Sequence, residues 1–148
     1  MQIFEIKTKY VPVGTMEDFK SITSPTDIKN YLDGAFDEHH DQEQVWCILL
    51  NGNNQPIGRK MITLGLVNQS QVHPRESFRF AIREAAAGVI FAHNHPSGNV
   101  KPSQEDITIT KRMVECGKIL DIPVIEHLII TDNNYFSIRA NFPEIFNV

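Results

Sequence analysis

The run Val45-Trp46-Cys47-Ile48-Leu49-Leu50 constrains the fold of this chain most. Six consecutive apolar residues without polar alternation describe a strand covered on both faces, as in α/β proteins, and not one with a wet side. The Asn51-Gly52-Asn53-Asn54 segment that follows is turn chemistry. It predicts that residues 56 to 66 return as an antiparallel partner, giving a hairpin at the heart of a sheet.

Elements of both kinds flank this hairpin. Residues 2 to 13 alternate weakly and predict a strand. Ser24-Pro25-Thr26-Asp27 has the cap residue and first-turn proline of a helix start, with Ile28, Tyr31, Leu32 and Phe36 as the apolar face. Phe78, Ala81, Ile82, Ala85 and Ala86 fall at helical spacing from Pro74 onward and predict a helix that stops at Gly88, followed by a short buried strand over Val89 to Ala92. Lys101-Pro102-Ser103 opens a second helix reaching about Lys118. Val124 to Ile130 reads as a strand, and Asp132-Asn133-Asn134 turns into a last strand at 135 to 138. With no internal repeat or linker, one α/β domain accounts for residues 1 to 148. The expected form is an α/β/α sandwich with a mixed sheet, with an N-terminal strand and helix in 1–42 and the core in 43–148.

At 148 residues and 41% hydrophobic content, a chain of this size buries a core without disulfide or metal staples. The net charge of −4, with Lys and Arg scattered, argues against a broad phosphate-binding face and so against nucleic acid as a default partner. Cys47 and Cys116 lack C-x-x-C spacing, which excludes a zinc ribbon and speaks against a disulfide framework. The first residues lack the basic and apolar regions of a signal peptide, and no stretch approaches the roughly 18 apolar residues of a membrane span. A reducing cytoplasm is the expected location.

The chemistry is concentrated in His93-Asn94-His95-Pro96-Ser97-Gly98, with Ser103 and Asp106 downstream. Two imidazoles one residue apart reach a single metal if the backbone between them is extended or bent, and Pro96 biases His95 away from the helical region. Asp106, in the first turn of the next helix, supplies a third ligand that the helix N-terminus helps keep ionised. Two histidines and one carboxylate leave the fourth tetrahedral position of Zn2+ free for water, as in a catalytic site. Ser103 suits both an N-cap and a hydroxyl donor aimed at a reacting carbonyl oxygen. Asn94 should point away from its neighbours, in a supporting role. A hydrolase also needs an acid to take a proton from water. Glu38, Asp41, Glu43, Glu76, Glu84, Glu105 and Glu126 are all candidates; Glu43 is favoured because it is the last acid before the buried strand. Residue chemistry alone leaves that choice open. His127 reads as a strand histidine satisfied by a neighbour, His73 as a residue ahead of a helix start, and His39 and His40 as solvated.

Glu43 at the head of an apolar strand, His93-x-His95, seven residues to Ser103 and two more to Asp106 together resemble the JAB/MPN metalloprotease domain with its JAMM motif. The bacterial RadC-like subgroup is the closer likeness. The similarity extends through Asn51 and Pro56, Pro74-Arg75-Glu76, Ala85-Ala86-Ala87-Gly88-Val89-Ile90, Ala92 to Gly98, Pro102-Ser103, Asp121-Ile122-x-Val124 and His127-Leu128-Ile129-Ile130, roughly the last two thirds of the chain. The resemblance implies a JAB/MPN fold of cytidine-deaminase-like architecture. It implies one Zn2+ per chain held by His93, His95 and Asp106, with Glu43 as general acid/base and Ser103 stabilising the oxyanion. It thereby selects Glu43 among the acids. RadC-like proteins usually carry a helix-hairpin-helix region at the N-terminus, which residues 1 to 42 do not match, so the DNA-repair link of the family name is weakened here.

The expected function is a zinc-dependent peptidase or isopeptidase acting on a peptide or protein substrate. Two alternatives stand beside it. One is a non-catalytic metal-binding scaffold, metal-loaded or metal-free, that recruits partners as ligand-lacking MPN domains do; the presence of all five expected residues argues against it. A nucleic-acid-acting protein would have to be a nuclease, because the H-x-E and C-x-x-C of the zinc deaminases are missing.

Overall fold

The apolar run forms β1, Gln44–Leu50, in a computed structural model that describes residues 1–67 and 72–147. The turn after it returns the chain as β2, Pro56–Leu64, antiparallel to β1. On its other side β1 pairs antiparallel with β3, Gly88–Asn94, in the register Val45 to His93 and Leu50 to Gly88. Next to β3, and parallel to it, runs β4, Val124–Ile130, and β5, Tyr135–Ser137, closes the far side antiparallel to β4. The sheet is therefore mixed, in the order β2-β1-β3-β4-β5. The hairpin lies toward one edge, not at the heart as expected; the centre is β3, every residue of which is buried.

A parallel neighbour requires a crossover, and helix α4, Gln104–Leu120, supplies it between β3 and β4. Its Ile107, Met113 and Val114 pack with Val45, Cys47, Leu49, Val89 and Phe91 on one face of the sheet. On the other face, α1, Pro25–Tyr31, brings Ile28, Tyr31 and the adjoining Leu32 against Ile48, Leu50, Ile90, Ala92, Leu128 and Ile130. Helices thus cover both faces, as the unbroken apolar run demands. Near its C-terminal end α4 comes close to the chain leading into β4: a Cβ on Gly117 would lie 2.5 Å from the Ile122 carbonyl oxygen.

Several expectations are corrected. Residues 2 to 13 form no strand: Ile3, Phe4 and Ile6 stand exposed, and the segment is tied down by Tyr10 Oη donating to Glu84 Oε1 at 2.6 Å. Weak alternation builds a strand only where a ladder edge and a face to bury are at hand. The helix expected over 74 to 88 is two short ones, α2 (Pro74–Ser77) and α3 (Arg79–Arg83), separated at Phe78. Phe78 is buried against Phe91, ring centroids 5.8 Å apart, while Ile82 is left exposed. The helical stop is Ala85, with φ of +51°, and not Gly88. Gly88 already belongs to β3, where a Cβ would meet the Pro123 carbonyl oxygen at 3.3 Å. The last strand, expected over 135 to 138, ends at Ser137, and two short helices, α5 (Ile138–Asn141) and α6 (Pro143–Phe146), follow it.

Candidate metal centre

Strand alternation places His93 and His95 on the same face of β3, the face covered by α4, and turns Asn94 to the other. His93 lies inside the strand, fully buried and paired with Val45 and Ile129; β3 runs two residues past the Ala92 end expected from the sequence. His95 extends the ladder by donating its N–H to the Ile130 carbonyl at 3.0 Å. The chain then turns at Gly98, whose φ of +85° suits glycine.

Asp106 arrives from α4. Ser103 caps that helix, its Oγ accepting the Asp106 N–H at 3.1 Å, while Asp106 Oδ2 accepts the Ser103 N–H at 2.8 Å. This reciprocal capping box fixes the carboxylate at the third helical position. Asp106 is buried, with Oδ1 3.3 Å from His93 Nε2 and Oδ2 3.3 Å from His95 Nε2. The two Nε2 atoms are 2.9 Å apart, and one ligand atom from each of the three residues lies within 4.8 Å of the others. His93, His95 and Asp106 could therefore hold one metal ion.

The donor chemistry suits a cation. His95 Nδ1 is 2.7 Å from the Asn99 carbonyl oxygen, which only accepts, so Nδ1 carries the proton and neutral His95 presents a bare Nε2 to the cluster. Burial pushes the Asp106 carboxyl up, but the His93 and His95 imidazoles beside it and the Ser103 N–H outweigh it and hold the group well below the usual carboxylate range. Burial lowers the pKa of His95, yet the bond to Asp106 and the Asn99 carbonyl raise it above the ordinary value. Two nitrogens and one carboxylate form a zinc-type donor set that is one ligand short of a tetrahedron.

Glu43 immediately precedes β1. Continuing the pairing of Val45 with His93 sets Glu43 across from His95 on the same face. Its charge is among those that raise the His95 pKa. The side chain is half-buried, with Oε2 accepting the Val67 N–H at 3.0 Å, and the Glu43 carbonyl accepts the Gly65 N–H at 2.8 Å. Asn94 holds the backbone on either side of it: Oδ1 accepts the Gln44 N–H at 2.6 Å and Nδ2 donates to the Gln42 carbonyl at 2.9 Å.

The other acids stand elsewhere. Glu38, Asp41 and Glu105 are exposed, Glu76 pairs with Arg79, and Glu84 meets Tyr10. Buried Glu126 accepts from Ser137 Oγ and the N–H groups of His127 and Arg139, with its pKa raised by burial. Ser103 sits at the exposed start of α4 beside Asp106. His39 lies near Glu38, His40 is exposed and His73 caps α2 through its backbone. The expectation for His127 is sharpened: its neighbour is His93, whose Nδ1 is 2.7 Å from His127 Nε2, and its other nitrogen meets Thr110 Oγ1 at 2.6 Å. Burial and the charge of His93 lower the His127 pKa to about 3. Thr110 was not foreseen, and the helical spacing from Asp106 to Thr110 was the available signal.

With this geometry in place, a family model described as the RadC-like JAB domain matches residues 22–142. The chain belongs to the RadC-like JAB family. A UPF0758 protein of Bacillus mycoides (strain KBAB4) is 44% identical over 139 residues, covering 94% of this chain and 61% of the relative. A UPF0758 protein of Bacillus cereus (strain AH187) is 48% identical over 119 residues, covering 80% of this chain and 52% of the relative. The chain thus spans between half and two thirds of the length of these RadC-like relatives. Both cysteines are free, and no helix among the described residues is long and apolar enough to cross a membrane.

Proposed function

We propose that this RadC-like domain is a zinc-dependent hydrolase of peptide or isopeptide bonds. The observation that carries the reading is the convergence of His93 Nε2, His95 Nε2 and the Asp106 carboxylate, with half-buried Glu43 near enough for its charge to act on His95. Three protein ligands with an open fourth position are the arrangement of hydrolytic zinc sites. Bound zinc supplies a Lewis acid for the scissile carbonyl and lowers the pKa of water toward neutrality.

The remaining work falls to side chains. Glu43 accepts the proton of the attacking water and returns it to the leaving amine. Its backbone is fixed on both sides by Asn94, so the carboxylate pivots from a rigid base. Ser103 keeps its hydroxyl proton free while Oγ accepts the Asp106 N–H, and donates it to the oxyanion. A neighbouring groove of about 460 Å³, lined by Ser103, Ile107, Phe136, Phe142 and Ile145, offers an apolar wall to an extended polypeptide.

Peptide-library profiling of the zinc-loaded protein beside Glu43→Gln tests the mechanism. Cleavage by the wild type should fall by roughly 10²- to 10⁴-fold in the variant, with zinc content unchanged. Equal turnover by both would overturn the assignment of Glu43.

A further inference from the structure

Behind His93 a hydrogen-bond chain runs in one direction. Thr110 Oγ1 lies 2.6 Å from the Asp106 carbonyl oxygen. A carbonyl only accepts, so the single hydroxyl proton of Thr110 points at it. Toward His127 the hydroxyl then acts as acceptor, and His127 Nδ1, 2.6 Å away, carries a proton. The His127 ring is buried, and neither of its nitrogens meets a carboxylate among the described residues, so a cationic ring would be costly. The neutral ring has a bare Nε2. His93 Nδ1, 2.7 Å from that atom, must donate to it. His93 Nε2 is left with its lone pair facing His95 and Asp106.

We propose that Thr110 and His127 are positioning residues that hold His93 in its Nδ1–H form, so that the Nε2 lone pair is aimed at a metal before the metal arrives. This rests on the metal reading of the site. The chain begins on the Asp106 carbonyl and ends beside the Asp106 carboxylate, so it locks the first turn of α4 to β3 and β4 in the same step. Outer partners of metal-bound histidines act in this way by fixing both tautomer and ring orientation. Hydrophobic substitutes of similar size would fill the space but leave the tautomer free.

The experiment has two readouts: the His93 tautomer in metal-free protein, from its ring nitrogen chemical shifts, and zinc affinity by chelator competition. In the wild type His93 should be Nδ1–H. His127→Phe should mix the tautomers and weaken zinc binding by about 10- to 100-fold. Thr110→Val, which keeps the shape and removes the hydroxyl, should act in the same direction and carries the test if His127→Phe fails to fold. His127→Gln can accept from His93 and donate to Thr110, and should recover most of the affinity. A wild-type His93 protonated mainly on Nε2, or unchanged zinc affinity in folded His127→Phe and Thr110→Val, overturns the proposal. A wild type with the Nδ1–H form that binds no zinc upholds the tautomer assignment and sinks the metal reading, so the two failures are distinct.

Discussion

Helices α1 and α4 begin with the same device in different surroundings. Ser24 and Asp27 form a capping box at α1, as Ser103 and Asp106 do at α4. In each, the serine Oγ accepts the aspartate N–H and the aspartate accepts the serine N–H. Asp27 directs Oδ2 also at the N–H and hydroxyl of Thr23, near the surface. Asp106 is buried and faces two imidazoles. The cap is a property of four consecutive residues; the capacity to hold a metal comes from the strand on which the carboxylate lands. A helix start of this kind is therefore no evidence of a site until its tertiary neighbours are known.

The largest effect expected from breaking this comparison is on metal content. Asp106→Asn should purify without stoichiometric zinc, while Asp27→Asn should retain one zinc per chain by elemental analysis. Equal zinc in both would remove Asp106 from the ligand set. Chelation should next lower the melting temperature of the wild type and leave that of Asp106→Asn unmoved. At free zinc one hundred times the dissociation constant the stabilisation is about 2.7 kcal/mol, or roughly 5–10 °C for a domain of this size.

Gly117→Ala comes third. Its methyl would meet the Ile122 carbonyl at 2.5 Å, so α4 must shift. The expected loss is about 1–3 kcal/mol in urea unfolding. The displacement is passed some 16 Å along the helix to Asp106, which should weaken zinc binding as well. Ser24→Ala should cost about 1 kcal/mol and leave zinc affinity unchanged.

The smallest effect concerns acid. Hydrogen bonds led by the Thr23 N–H hold the Asp27 carboxyl below its ordinary 3.8. The folded state thus binds this proton more weakly than the unfolded chain. The contribution is fully present above the unfolded value and is lost as pH falls through the folded one. Asp27→Asn should flatten the unfolding midpoint against pH below about pH 4; an unchanged acid limb would show that this cap contributes nothing there.

Local signals were legible and non-local ones were not. The α1 start, β1 and all seven residues of β4 follow from caps and apolar runs. The family assignment follows from the motif, and the family match bears it out. Residues 2 to 13 misled because alternation does not say whether a partner edge exists. The break at Phe78 depends on Phe91, which a helical count does not see. Around the histidines, the nearness of His93, His95 and Asp106 could be argued from spacing. The place of Glu43 needed the β1 to β3 register, and the contact of His127 with His93 needed the parallel register of β3 and β4. Helical spacing from Asp106 puts Thr110 on the same face of α4, but its contact with His127 needed α4 seated on that pair.

Asn94 gives the last consequence. Three successive residues of β3 and its extension face opposite ways: His93 and His95 toward α4, Asn94 toward the peptide groups that flank Glu43. The acid and two of the three candidate ligands are thus referenced to one short length of chain, with no loop between them in which positional error could accumulate. Thermal excursions of the half-exposed segment after Asn99 or before Gln42 would move the surroundings while leaving the spacing between Glu43 and the histidine pair nearly constant.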